Sequence, residues 1–159
     1  MSFKPQDQRF TSTLVCNIEE GLVLTVGLLS GIAIAGISGA TIVLVGTIFV
    51  FTAGVSAAAR NMLTRMHESE APSSITPYAQ ESLMIALFYV VAGIVPLLPY
   101  MLIDVSRAFT ASIVCSFAAA FVLGLWSGHT GRAVWKSAYH MAYVAAGGAI
   151  IGAIVNSVL

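Results

Sequence analysis

Residues 21–59 read GLVLTVGLLSGIAIAGISGATIVLVGTIFVFTAGVSAAA, 39 consecutive positions without a charged side chain. A helix that crosses a bilayer needs about 20 mainly apolar residues, each adding about 1.5 Å of rise, so a run of this length holds two crossings. The break between them falls at Gly36-Ile37-Ser38-Gly39, where two glycines and a serine permit a tight turn between antiparallel helices.

Uncharged runs recur on the C-terminal side, at Ser82–Ile103, Ala108–Ser127 and Ser137–Leu159. The expected architecture is an all-α integral membrane protein of five transmembrane helices, near 17–36, 39–60, 79–103, 108–127 and 134–158. A short N-terminal segment, 1–16, precedes this membrane domain of 17–159, and 61–76 is its longest connection. No alternating strand pattern is present, so a membrane barrel is not expected. Composition agrees: 58% of the 159 residues are hydrophobic and 9% charged, against about a quarter charged in soluble domains. A chain so poor in charge cannot cover a water-facing surface, and its main partner is the lipid bilayer.

Formal net charge is zero and no basic tract occurs, which excludes nucleic acid as an expected partner. Cys16 and Cys115 stand far apart, without zinc-site or disulfide spacing, and read as small packing side chains. No nucleophile–base pairing, phosphate-binding glycine loop or metalloprotease His-Glu motif is present, so an enzyme is not expected.

Lysine and arginine accumulate on the cytoplasmic side of membrane proteins, and their placement sets the expected orientation. With the N-terminus inside, Lys4, Arg9, Arg60, Arg65, Arg132 and Lys136 are cytoplasmic and only Arg107 is not. The N-terminus is therefore expected in the cytoplasm and the C-terminus outside. The 61–76 connection is then a cytoplasmic loop holding Arg65, His67, Glu68 and Glu70, followed by the linker-like Ala71-Pro72-Ser73-Ser74. Pro77 suits the start of the next helix. With no cleavable signal or organelle address identified, a bacterial-type inner (plasma) membrane is the expected location.

Within the apolar runs, Gly27 with Gly31, Gly31 with Ala35, Ala53 with Ala57 and Gly148 with Gly152 stand four apart, a spacing that lets helices approach closely. Pro96 and Pro99 remove two backbone donors from the third helix, freeing carbonyls near its outer end and predicting a kink there. Ionisable side chains are costly in hydrocarbon and mark cation or proton paths. Glu19 and Glu20 stand first among them, directly before the uncharged run. Two readings stay open: a helix cap, with Asn17 as cap and Glu20 reaching back, or cation handling. Glu81 carries the same choice at the start of the third helix. His140, followed by Met141, falls one turn inside the fifth helix and reads either as a bundle hydrogen-bonding group or as a ligand. His67, Glu68 and Glu70 read as a solvated loop or as a loop site for metal.

Glu20-Gly21-Leu22 followed by Gly27-Leu28-Leu29-Ser30-Gly31, then Ala53-Gly54 with small residues from Ser56 to Ala59 and Arg60, form one part of a pattern. Gly93-Ile94-Val95-Pro96-Leu97-Leu98-Pro99-Tyr100, Leu123-Gly124, Trp135-Lys136-Ser137-Ala138, Met141 and Gly147-Gly148 complete it. In this order they resemble the vacuolar iron transporter family, small proteins with five membrane helices. The resemblance covers nearly the whole chain from Asn17. It implies a homodimer that moves iron(II), and often manganese(II), out of the cytosol in exchange for protons. By the same resemblance Glu20 takes the place of a first-helix carboxylate that binds the cation and accepts a proton.

Two departures from the family pattern stand out. Relatives carry a glutamate and, eight residues later, a methionine in the second helix; alignment on Gly54 puts Val43 and Phe51 there. The long acidic helical insert of iron-transporting relatives is replaced by the short 61–76 connection, as in the family's shorter members. The resemblance therefore implies either a metal transporter working through Glu20, or a transporter-like membrane subunit that has lost the metal site and carries another solute or serves an interaction role.

Overall fold

The computed structural model describes residues 5–68 and 76–126, together with Tyr139, Tyr143, Ala146, Gly147, Ile150, Ile154, Ser157 and Val158, each in helical backbone. Four helices are built from the described residues: α1 (Pro5–Ile34), α2 (Gly39–Glu68), α3 (Thr76–Leu102) and α4 (Val105–Trp126). Each contains a stretch long and apolar enough to cross a membrane: Phe10–Ile34, Gly39–His67, Thr76–Leu102 and Val105–Leu123. Most of the expected fifth helix, 134–158, lies outside the described residues.

The turn expected at Gly36–Gly39 is present. Gly36 adopts a φ of 75°, in the left-handed region that only glycine enters without steric cost. Ala35 and Gly36 donate their N–H groups to Gly31 O and Ala33 O, closing α1. Ser38 opens α2: its Oγ accepts from Thr41 N at 3.4 Å and its carbonyl accepts from Ile42 N at 3.0 Å.

Two helix ends differ from expectation. The polar segment 1–16 is helical from Pro5 onward, because Phe10, Leu14 and Ile18 recur every fourth residue and pack against Ile85 and Tyr89 of α3. Asn17 consequently stands in mid-helix rather than at a cap. Its Nδ2 donates to Thr13 O at 2.8 Å. Likewise 61–68 is no loop: no glycine or proline interrupts the sequence after Arg60 until Pro72, and α2 continues to Glu68.

α3 is the central element, packed against α1, α2 and α4. Its contacts form three apolar levels. Leu14, Ala57, Ile85 and Tyr89 gather at one end; Leu22, Val23, Ala92 and Ala120 in the middle; Leu29, Ile42, Leu97, Tyr100 and Ala108 at the other. Helix α3 passes through Pro96 and Pro99 as one helix, and both prolines are buried. Lacking N–H groups, they deprive Ala92 O and Val95 O of their helical donors. Ala92 and Val95 border an apolar groove of about 450 Å³ between α1, α3 and α4.

Beside the prolines a hydroxyl ties two helices together. Ser112 Oγ of α4 donates to Pro96 O at 2.6 Å, and Ser116 Oγ to Ser112 O at 2.7 Å, all out of contact with solvent. Replacing Ser112 by alanine removes the one interhelical bond of this pair and is expected to destabilise the bundle by about 1 kcal/mol. Thermal unfolding of the detergent-solubilised variant checks this, with Ser116→Ala, which loses only a bond within α4, as the milder control.

Candidate functional site

Charged side chains gather at the end of the bundle opposite the Gly36 turn. From Glu20 to Ile34 is about 21 Å of helix, and from Gly39 to Arg60 about 32 Å, so this layer lies near one boundary of a hydrocarbon core of about 30 Å. On α1, Thr13, Asn17 and Glu20 follow at helical spacing on one face. On α2, Ala57, Arg60, Asn61, Thr64 and Arg65 do the same. The facing stripes enclose a polar cavity of about 200 Å³, lined by Thr13, Asn17, Asn61, Thr64 and both arginines.

Three polar contacts close this end. Arg60 Nη2 donates to Glu20 Oε2 at 2.9 Å, joining α2 to α1. Asn61 Nδ2 donates to Ser82 Oγ at 3.1 Å. Arg65 Nη2 stands 3.2 Å from Glu81 Oε2, close enough for charge pairing but out of line for a hydrogen bond. The two ion pairs differ in exposure. The side chains of Arg60 and Glu20 are 61% and 37% exposed, those of Arg65 and Glu81 12% and 26%. Ion pairs in water contribute little, whereas unpairing a charge held away from water is destabilising. Arg65→Ala is therefore expected to destabilise by about 1–3 kcal/mol, and Arg60→Ala by under about 1 kcal/mol. Parallel melting curves in detergent give the order.

Directly beneath lies Tyr89. A Cβ built on Gly21 would stand 2.9 Å from Tyr89 O and 3.5 Å from its Cδ1, and one built on Gly54 would stand 3.7 Å from that same ring atom. The two glycines thus form a slot, one wall from α1 and one from α2, that admits the tyrosine ring. Helical side chains lean toward the N-terminus of their helix, here the charged end. The Tyr89 hydroxyl is buried with no hydrogen-bond partner.

The expected site residues are distributed as follows. Glu19 and Glu20 are half-buried in the interior of α1, which removes the capping reading for Glu20 and leaves it as an interhelical ion-pair partner. Glu81 pairs with Arg65 instead of capping α3. His67 is exposed in the last turn of α2, with a ring nitrogen 2.9 Å from Leu63 O. Glu68 ends the same helix, its side chain outside the described residues, as are Glu70, His140 and Met141. Val43 is half-buried against the apolar level beside the Gly36 turn and Phe51 is 54% exposed. Both thiols, Cys16 and Cys115, are free. Among the described residues no three His, Cys, Asp or Glu side chains come together as a metal cluster.

Sequence reasoning missed Arg60 as the partner of Glu20, and Tyr89 altogether. A signal for the first existed. Counted from Ile37 in the turn, Glu20 lies 17 residues back and Arg60 23 forward, a difference of six residues or about 9 Å along the axis. Both side chains lean so as to close that gap, because each points toward the N-terminus of its own helix.

Apolar helices of spanning length, with ionisable groups collected at one end around a polar cavity, define a helical multi-pass membrane protein. The chain belongs to the VIT family, whose pattern matches residues 57–157. Glu19 and Glu20 precede that matched range. Vacuolar iron transporter 1 of Arabidopsis thaliana is 42% identical over 69 residues, and Vacuolar iron transporter 1 of Eucalyptus grandis 39% identical over 69 residues. In each case the match covers 42% of this chain and 28% of the relative.

Proposed function

We propose that this protein is a divalent metal transporter that exports or sequesters iron(II) or manganese(II) in exchange for protons, with Glu20 as the carboxylate on the transport path. The observation that carries the proposal is the placement of Glu20: a carboxylate inside a membrane helix, paired with an arginine that lines a polar cavity, in a chain of the VIT family. Such a group binds a hard divalent cation and takes up a proton in its absence, which is the competition antiport requires. We place a fifth helix over 134–158, the N-terminus and the charged end in the cytoplasm, and the protein in a bacterial-type plasma membrane.

The working unit we propose is a homodimer joined along α2. On that helix Leu44, Ile48, Phe51 and Val55 are more than half exposed, and Thr52 and Ser56 lie exposed among them. Hydroxyls among apolar side chains suit a helix–helix contact better than lipid.

A second reading rests on Val43 and Phe51, apolar side chains where ligands are expected. In it the same scaffold carries another small solute or acts as a membrane subunit. Reconstitution into liposomes separates the two: uptake of iron(II) or manganese(II) driven by a pH gradient is expected. A folded, reconstituted protein that neither takes up nor binds any of a panel of divalent metals selects the second reading.

A further inference from the structure

We propose that Arg60 is a tethered counter-cation: its guanidinium occupies Glu20 when no cargo is present, an incoming divalent cation displaces it, and this competition sets the affinity for metal. The proposal rests on the metal-transport reading and adds to it a residue that tunes affinity.

Three observations converge. The Arg60–Glu20 contact of 2.9 Å is an ion pair bridging α1 and α2, and it places a positive charge on the carboxylate a cation would need. Of the two arginines bordering the cavity, Arg60 is the one free to leave, its side chain 61% exposed, while Arg65 is 12% exposed and held beside Glu81. Finally, the Tyr89 hydroxyl is 1% exposed at the level of the residue and lacks a partner. It is fixed in the Gly21–Gly54 slot, against the residue that follows Glu20 in α1. A buried oxygen with nothing to bond is unfavourable. In the arginine-paired arrangement that oxygen stays without a partner. Hard divalent cations take oxygen ligands of this kind, carboxylate and neutral together.

The charge balance supports an exchange rather than simple addition. Glu20 with Arg60, and Glu81 with Arg65, are compensated pairs, so the carboxylate a divalent cation needs is neutralised for as long as Arg60 stays in place. Once the guanidinium swings into water, Glu20 regains its negative charge for the cation.

Manganese(II) binding to the purified full-length protein, measured by calorimetry, tests this. R60Q is expected to bind about tenfold more tightly than wild type, the scale of one displaced unit charge at a few ångströms in a partly screened site. R60K retains the tethered charge and is expected to stay within about twofold of wild type. E20Q/R60Q is expected to lose the gain. Unchanged or weaker binding by R60Q, with wild type binding normally, overturns the proposal and leaves the transport reading standing. No binding by wild type or any variant removes both. A measurement on the unaltered chain guards against a variant that fails to fold: phenylglyoxal labelling of Arg60, read by mass spectrometry, should rise when manganese(II) is added, while Arg65 labelling stays constant. Arg60 labelling unaffected by saturating metal equally overturns the proposal.

Discussion

Gly21→Leu is expected to leave no folded bundle: in detergent the variant should elute as aggregate and show no cooperative melting. The cause is the backbone of α3. A Cβ at position 21 would stand 2.9 Å from Tyr89 O and 3.4 Å from Ala92 Cβ, distances that a flexible side chain relieves but a helical carbonyl cannot. The whole of α1 would have to move off α3, opening the cluster of Leu14, Ala57, Ile85 and Tyr89. Overpacking by a single methyl typically costs about 1–3 kcal/mol, so Gly21→Ala should still fold and melt lower, by about 2–4 °C for each kcal/mol lost. Gly46→Ala is the comparison. Its nearest neighbours are the terminal methyls of Leu97 and Leu29, at 2.6 and 2.9 Å, and those side chains can turn aside. Equal melting temperatures for Gly21→Ala and Gly46→Ala would show that close approach of the α1 and α3 backbones is not the constraint.

Glu20→Gln is expected to reduce divalent-metal uptake into liposomes by at least about tenfold, while the protein remains folded. The amide keeps the shape and one acceptor oxygen but loses the negative charge that attracts a hard cation and accepts a proton. The stability cost is small, because the pair it breaks with Arg60 is partly exposed and worth under about 1 kcal/mol. A melting curve near that of wild type, beside lost uptake, separates a transport role from a structural one. Uptake unaffected by the change would remove Glu20 from the path and with it the proposed mechanism.

Much of the scaffold was legible because hydropathy is a property of each residue in turn. The 39-residue run split at the glycine-serine turn, and α3 and α4 cover Ser82–Leu102 and Ala108–Trp126 of the two runs that follow. Where the reading fell short, polar residues misled it. Residues 1–16 read as a short cytoplasmic segment ahead of the membrane domain, yet Phe10 and Leu14 have the spacing that keeps α1 helical against α3. The stretch from Asn61 to His67 looked like a loop because of its charges, though it lacks any residue that ends a helix.

The site was legible only in its parts. Glu20 and Gly21 stood out as neighbours in the chain, but their separate tasks depend on contacts with α2 and α3. The amino-acid sequence by itself determined the apolar runs, the turn at Gly36 and the stock of ionisable groups, since these follow from composition and spacing along one helix. Only the tertiary structure decided that Glu20 meets Arg60, that Arg65 meets Glu81, and that Tyr89 fills the slot between Gly21 and Gly54. Those pairings depend on how each helix is rotated and shifted against the next. Packing among residues far apart in the chain sets that rotation, and no local pattern encodes it.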